Sequence, residues 1–231
     1  MPWPMVHFAI AEKFCLSNPS PGFLLGSISP DAIHARDHVT RIEKGATHLM
    51  SDGRFPSHET LKTNCAAYVD KNPEAEWKEF VLGYFAHIYA DIRWTHTVYA
   101  DFEKEYSGEQ GDIRNIYNLE VSQVEFNLLQ SEEWADHVIT GLQKAYAYPI
   151  APFVTQQEVS QYRDIKRAWL QDARNEPAIE TRYFNEDRVK TFIENTSNEL
   201  IVLFHEWGMD AERRLSYIDD AYQKHKTRAG E

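Results

Sequence analysis

The chain has 231 residues, enough for one sizeable hydrophobic core. Its 42% hydrophobic and 26% charged residues exclude a disordered, collagen-like or low-complexity chain for most of the length. Lys plus Arg total 24 against 36 Asp plus Glu, and the formal charge of −12 is a poor electrostatic match for nucleic acid or an anionic bilayer, so neither is an expected partner. Met5, Phe8, Ala9 and Phe14 fall at helical spacing and predict a first helix over 4–16, broken by the Pro- and Gly-containing stretch 17–22. Residues 23–33 are apolar and small, interrupted at Ser29-Pro30-Asp31. Residues 35–56, polar and carrying Gly45, Gly53 and Pro56, predict an irregular loop. Ser57, with Glu59 and Thr60 in the first turn, predicts a capped helix over 58–70.

The strongest segment runs over 73–106 as one continuous helical pattern. Pro73-Glu74 and Glu76 suit a helix start. Phe80 to Ala90 is apolar nearly all round, which predicts a long central helix buried on every face. Further helical patterns cover 112–129, 131–146, 155–174 and 187–224, with Pro149, Pro152 and Pro177 between them and a frayed polar tail over 225–231. Strand signals are weak: there is no sustained period-2 run and no hairpin dipeptide between apolar segments. The expectation is an all-α, multi-helix single domain over 1–231. The longest apolar run, Phe80 to Ala86, falls far short of the roughly 20 residues of a membrane-spanning helix, so no stable membrane insertion is expected. Residues 1–7 have neither a basic nor an apolar leader region, and the expected location is cytoplasmic. Cys15 and Cys65 are too few for a disulfide framework and are expected as buried thiols.

Seven of the ten histidines lie in the first 96 residues. His87 and Asp91 form an i,i+4 pair inside the central helix, so an imidazole nitrogen and a carboxylate oxygen share one face and can grip one metal ion. The bland alternative is a buried His–Asp hydrogen bond between helices. Gly83, one turn earlier on that face, leaves room for another chain or a ligand. His96, five residues after Asp91, is turned well away from the Asp91 face in an ideal helix, so it should bind a neighbouring ion or need a local distortion; the bland alternative is an ordinary interface histidine. His7 lies on the apolar face of the first helix, where a lone histidine is more often a core residue. Asp31 after Pro30 also reads as a turn residue, and His48, in a polar segment, as a solvated side chain.

Taken together, three ordered blocks resemble the zinc-dependent phospholipase C family, whose fold is shared with P1 nuclease. They are Pro4 to Glu12 around His7, Phe23 to Asp31 followed by Thr47-His48, and Gly83 to His96 around His87 and Asp91. They span residues 4–96, while 97–224 is supported by helical pattern alone. The resemblance implies an all-helical fold with two or three zinc ions in a cleft. It places Asp31, His48, His87 and Asp91 at one ion, His7 with Asp91 at a second and His96 at a third. The family's His and Glu one turn apart after His96 have no counterpart here, which opens a site of one or two ions as the alternative. Glu120 and Glu125 are the substitute carboxylates, against the equal alternative of a solvated helix face. His205, after the apolar run Leu200 to Phe204, reads as a core or interface residue.

The function expected on this basis is a metal-dependent, zinc-using hydrolase of a phosphate ester. A metal-bound hydroxide would attack phosphorus, and Asp31 would serve as ligand and proton acceptor. The substrate would be a small phosphate ester or a phospholipid-like one. The alternative is a non-enzymatic helical protein with a structural or vestigial metal site. No HExxH, ferritin-type ExxH, His-Asp dipeptide, GxSxG, P-loop or GxGxxG is present.

Overall fold

The computed structural model describes residues 2–209. It is all-helical, with no β-strand among the described residues. Helix α1 (Pro4–Phe14) begins with Pro4 at its first position, where the missing N–H costs nothing. Its first amides are met by a distant side chain: Glu125 accepts from the Met5 N–H at 3.0 and 3.1 Å. The short α2 (Pro21–Gly26) is capped by Ser20, whose side chain accepts from the Phe23 N–H, and leads into a 3-10 helix over Ser29–Ala35.

The stretch expected as irregular loop contains a further helix, α3 (Arg41–Thr47). Thr40 and Glu43 form a reciprocal capping box at its start. A polar, glycine-containing segment hides so short a helix from periodicity. Then follow α4 (His58–Val69), capped by Ser57 as expected, and α5 (Ala75–Trp94).

Helix α5 is buried on every face from Phe80 to Asp91, as its apolar composition requires. The pattern over 73–106 is continuous but not uniform: one π turn over Thr95–Tyr99 separates α5 from α6 (Ala100–Glu105). The chain continues through α7 (Ile113–Ser131), α8 (Ala135–Lys144), α9 (Gln156–Gln171) and α10 (Glu186–Glu206). The part of the last predicted helix beyond residue 209, and the expected frayed tail, lie outside the described residues. No helix among the described residues is long and apolar enough to cross a membrane. Cys65 is buried, but Cys15, just past the end of α1, is only half-buried.

Two glycines set the approach that matters most for the site. A Cβ on Gly83 of α5 would collide with the Phe23 carbonyl oxygen and stand 2.9 Å from the Ser27 nitrogen. One on Gly26 of α2 would collide with the Phe80 carbonyl. The space over Gly83 therefore belongs to α2's own backbone, not to a ligand or another chain. The close crossing brings the Ser27 carbonyl to His87. Helix α9 packs over the 3-10 helix. Helix α1 packs against α5, α7 and α10.

Candidate metal centre

Four elements converge on one point. Helix α1 brings His7, the 3-10 helix brings Asp31, the C-cap of α3 brings His48, and α5 brings His87 and Asp91. His7, His87 and Asp91 offer ligand atoms all within 4.8 Å of one another, and so do Asp31, His48 and His87.

The ring orientations are fixed from outside. His87 Nδ1 lies 2.8 Å from the Ser27 carbonyl oxygen. A carbonyl only accepts, so Nδ1 carries the proton and Nε2 presents a lone pair when the ring is neutral. His48 Nδ1 lies 3.0 Å from the Lys44 carbonyl and 2.9 Å from Thr47 Oγ1, whose own proton goes to the same carbonyl. His48 Nε2 is therefore a lone pair as well. These two Nε2 atoms stand 3.2 Å apart. Asp91 Oδ2 is 3.1 Å from the first and 3.4 Å from the second.

Donor atoms bound at about 2.0–2.1 Å around a tetrahedral ion stand roughly 3.3 Å from each other. The triangle of His48 Nε2, His87 Nε2 and Asp91 Oδ2 has those edges. Both Asp91 oxygens, both His7 ring nitrogens and Asp31 Oδ1 are buried without a hydrogen-bond partner. Orphaned buried acceptors are costly, and a cation among them removes that cost. On this chemistry the residues fit a zinc-like ion, and the pinned Nδ1–H groups are the usual outer support of a metal-binding imidazole.

Asp31 forms the open edge. Its Oδ1 lies 3.9 Å from His48 Nε2, and its side chain keeps 15% exposure against 0–1% for His48 and Asp91. His7 lies on the other side: its ring stacks on His87 at 4.0 Å between centroids, and its Nε2 is 3.6 Å from Asp91 Oδ1. Asp91 thus turns one oxygen toward His48 and His87 and the other toward His7.

The charges follow from burial and partners. Burial alone would raise both carboxyls. At Asp31 the Lys44 ammonium and the His87 and His48 rings outweigh it and hold the group below the usual carboxylate range. At Asp91 the His87 and His48 rings hold it well below. Burial would lower His87, but Asp91 and Asp31 outweigh it and raise the ring above its ordinary value. His7 is pushed down to about 3, by burial first and by His87 second.

Of the sequence candidates, the structure brings together His7, Asp31, His48, His87 and Asp91. His48 is buried at the end of α3 and is not a solvated loop residue. His96 lies in the π turn, exposed, its ring 6.0 Å from that of Phe55 and outside both ligand groups. The π turn at this position does not bring it to the ligand groups. Glu120 is buried and accepts from the Tyr183 and Phe184 amides at 2.7 and 3.1 Å, so it serves the approach to α10 and stands outside the ligand groups. Glu125 is committed to the α1 amides, and burial raises its carboxyl to about 8 against the pull of those hydrogen bonds. Neither glutamate is a solvated face residue. His205 is exposed near the end of α10. Sequence reasoning missed Lys44, whose Nζ is 3.5 Å from Asp31 Oδ1. The signal that could have found it is the capping box at Thr40, which makes Lys44 and His48 neighbours one turn apart.

An all-helical frame that gathers three histidines and two aspartates around one point defines a helical protein with a candidate metal centre. The chain belongs to the zinc-dependent phospholipase C family, whose model matches residues 3–201. No curated protein and no solved structure matches it significantly.

Proposed function

We propose that this chain is a metal-dependent phosphoesterase whose zinc-like ion is held by Asp31, His48, His87 and Asp91, with His7 and Asp91 offering a second position. The observation that carries the reading is the meeting of two imidazole lone pairs and a buried carboxylate oxygen at 3.1–3.4 Å, each ring locked by a backbone carbonyl. An ion held there would supply positive charge to phosphate oxygens and bring a water's pKa toward neutrality. Ser27 and Lys44, through their carbonyls, keep the two Nε2 atoms aimed inward. Asp91, with no exposed oxygen, offsets the ion's charge. Asp31 faces the open edge and is the carboxylate of the group placed to take the proton of the attacking water while the P–O bond to the leaving alcohol breaks.

The substrate is a phosphate ester, either small or phospholipid-like. The test is zinc content of the tag-free protein, followed by phosphodiesterase and phosphomonoesterase assays after reconstitution. The expected result is zinc-dependent turnover that His87→Ala abolishes while helicity persists. The near-complete burial of His48, His87 and Asp91 also favours a second reading, a closed structural staple. That reading gains if His87→Ala unfolds with loss of metal and the parent turns over none of the esters.

A further inference from the structure

We propose that the outer wall of this centre is an anion subsite, built by Lys44 and Lys166 with His34 beside them. The phosphate ester it takes then carries negative charge beyond that of a simple diester, as a monoester dianion or an acidic head group and not as a cationic one. The inference rests on the metal-centre reading and deepens it.

Exposure rises outward in one direction. His87 and Asp91 are sealed, Asp31 is 15% exposed, and Lys44 and His34 side chains are 34% and 43% exposed. Along that direction Asp31 Oδ1 is met by Lys44 Nζ at 3.5 Å and by His34 Nε2 at 3.8 Å. Helix α9 covers the 3-10 helix that carries Asp31 and His34, and it supplies Lys166. The Lys166 ammonium lies within electrostatic reach of His34 and 5.3 Å from the ring centroids of both Trp3 and Tyr162. Among the described residues it forms no ion pair.

The charge count decides the sign. Asp31 and Asp91 together balance one divalent ion. Lys44 then has no carboxylate of its own, because Asp31 is shared with the ion. Lys166 acts on Glu125, but that carboxyl is turned to the Met5 amide. The Lys44 ammonium therefore stands at the edge from which a phosphate approaches, with the Lys166 ammonium within electrostatic reach of His34 beside it, in a chain whose total charge is −12. An anion there gains charge-assisted contacts, whereas a quaternary ammonium head group meets like charge. The half-buried Trp3 gives that wall an apolar surface beside its cations.

The test uses the zinc-reconstituted full chain. Inorganic phosphate binding is measured by calorimetry, which needs no turnover. Hydrolysis is compared on p-nitrophenyl phosphate, bis(p-nitrophenyl) phosphate and p-nitrophenyl phosphorylcholine, and on vesicles of phosphatidylcholine with or without phosphatidylglycerol. Lys44→Gln and Lys166→Gln are each expected to weaken phosphate binding roughly tenfold at unchanged zinc content, with Lys44→Arg and Lys166→Arg retaining most of it. The choline ester is expected to be the poorest of the three soluble probes. Turnover of soluble anionic esters identifies a free ester as the source of the charge, and turnover confined to phosphatidylglycerol vesicles identifies a lipid head group. Phosphate binding that the double Lys→Gln variant leaves intact, absent phosphate binding, or preference for the choline ester overturns the subsite. Absent zinc uptake, or failure of every ester alongside lysine-dependent phosphate binding, counts against the phosphoesterase reading instead.

Discussion

His48 and His87 point their Nε2 lone pairs at each other across 3.2 Å, each held in that tautomer by a backbone carbonyl bonded to its Nδ1. Two neutral rings so placed repel. Relief comes from a proton shared with Asp91 or from a cation. The raised His87 pKa is the signature of the first solution, and a metal ion, which displaces the proton, is the second.

Metal removal therefore has a defined consequence. His87→Ala and Asp91→Ala are expected to abolish zinc retention, whereas His38→Ala, on an exposed position, leaves it unchanged. Elemental mass spectrometry on chelator-free protein checks the ratio. Equal zinc in all three variants removes the site assignment. Thermal melts should show the wild type losing stability on chelation and the His87→Ala protein showing no further loss.

The crossing of α2 on α5 transmits backbone position into ring position. A Cβ at residue 83 has no space against the Phe23 carbonyl and the Ser27 nitrogen, and both partners are backbone. Gly83→Ala is expected to destabilise the fold by about 1–3 kcal/mol, the range of overpacking in a tight core. It should also lower zinc affinity, since it pushes the Ser27 carbonyl away from His87 Nδ1. Denaturant titration and competitive zinc titration separate the two effects. Unchanged affinity at reduced stability would mean that the Ser27 contact does not orient the ring.

Much of this centre was legible in the chain, for a local reason. The i,i+4 spacing of His87 and Asp91 fixes a shared face wherever the helix lies, and their apolar flanks place that helix in the core. The resemblance added Asp31, His48 and His7. The tertiary partners were not legible. Ser27 contributes only a carbonyl, which any residue has. Glu120 and Glu125 reach backbone amides 63 and 120 positions away, a choice that helical spacing does not encode. His96 was expected to bind a neighbouring ion or to need a local distortion; it stands outside both ligand groups, and the π turn that carries it has no spacing signature. Helix α3 was hidden by its polarity, although the Thr40-x-x-Glu43 box that starts it is a sequence signal.

That box makes α3 a test of how local structure supports the centre. Thr40→Ala removes the acceptor for the Glu43 amide and one arm of the reciprocal pair. The expected cost is about 1 kcal/mol, as for other N-cap deletions. Because α3 carries Lys44 and ends at His48, zinc affinity should fall with it. Thr40→Ser, which restores the acceptor, should recover both. Recovery of stability without recovery of zinc affinity would uncouple the cap from the site.

Glu125 offers the pH test. Its carboxyl, raised by burial to about 8, holds its proton in the folded protein over a range where the unfolded chain, near 4.5, has lost it. The folded state thus binds more protons between those values, and the group's contribution to stability falls as pH rises through that window. It levels off above about pH 8. In metal-free protein, Glu125→Gln has no such titration. The stability of the wild type relative to Glu125→Gln should decline from pH 5 to pH 8 and then stay flat to pH 9, measured by denaturant titration in one buffer series. A difference that stays flat from pH 5 to pH 9 and changes only below pH 5 would mean that the Met5 amide and the N-terminus of α1 hold the carboxylate ionised against its burial. Glu125 would then anchor α1, and with it His7, by charge.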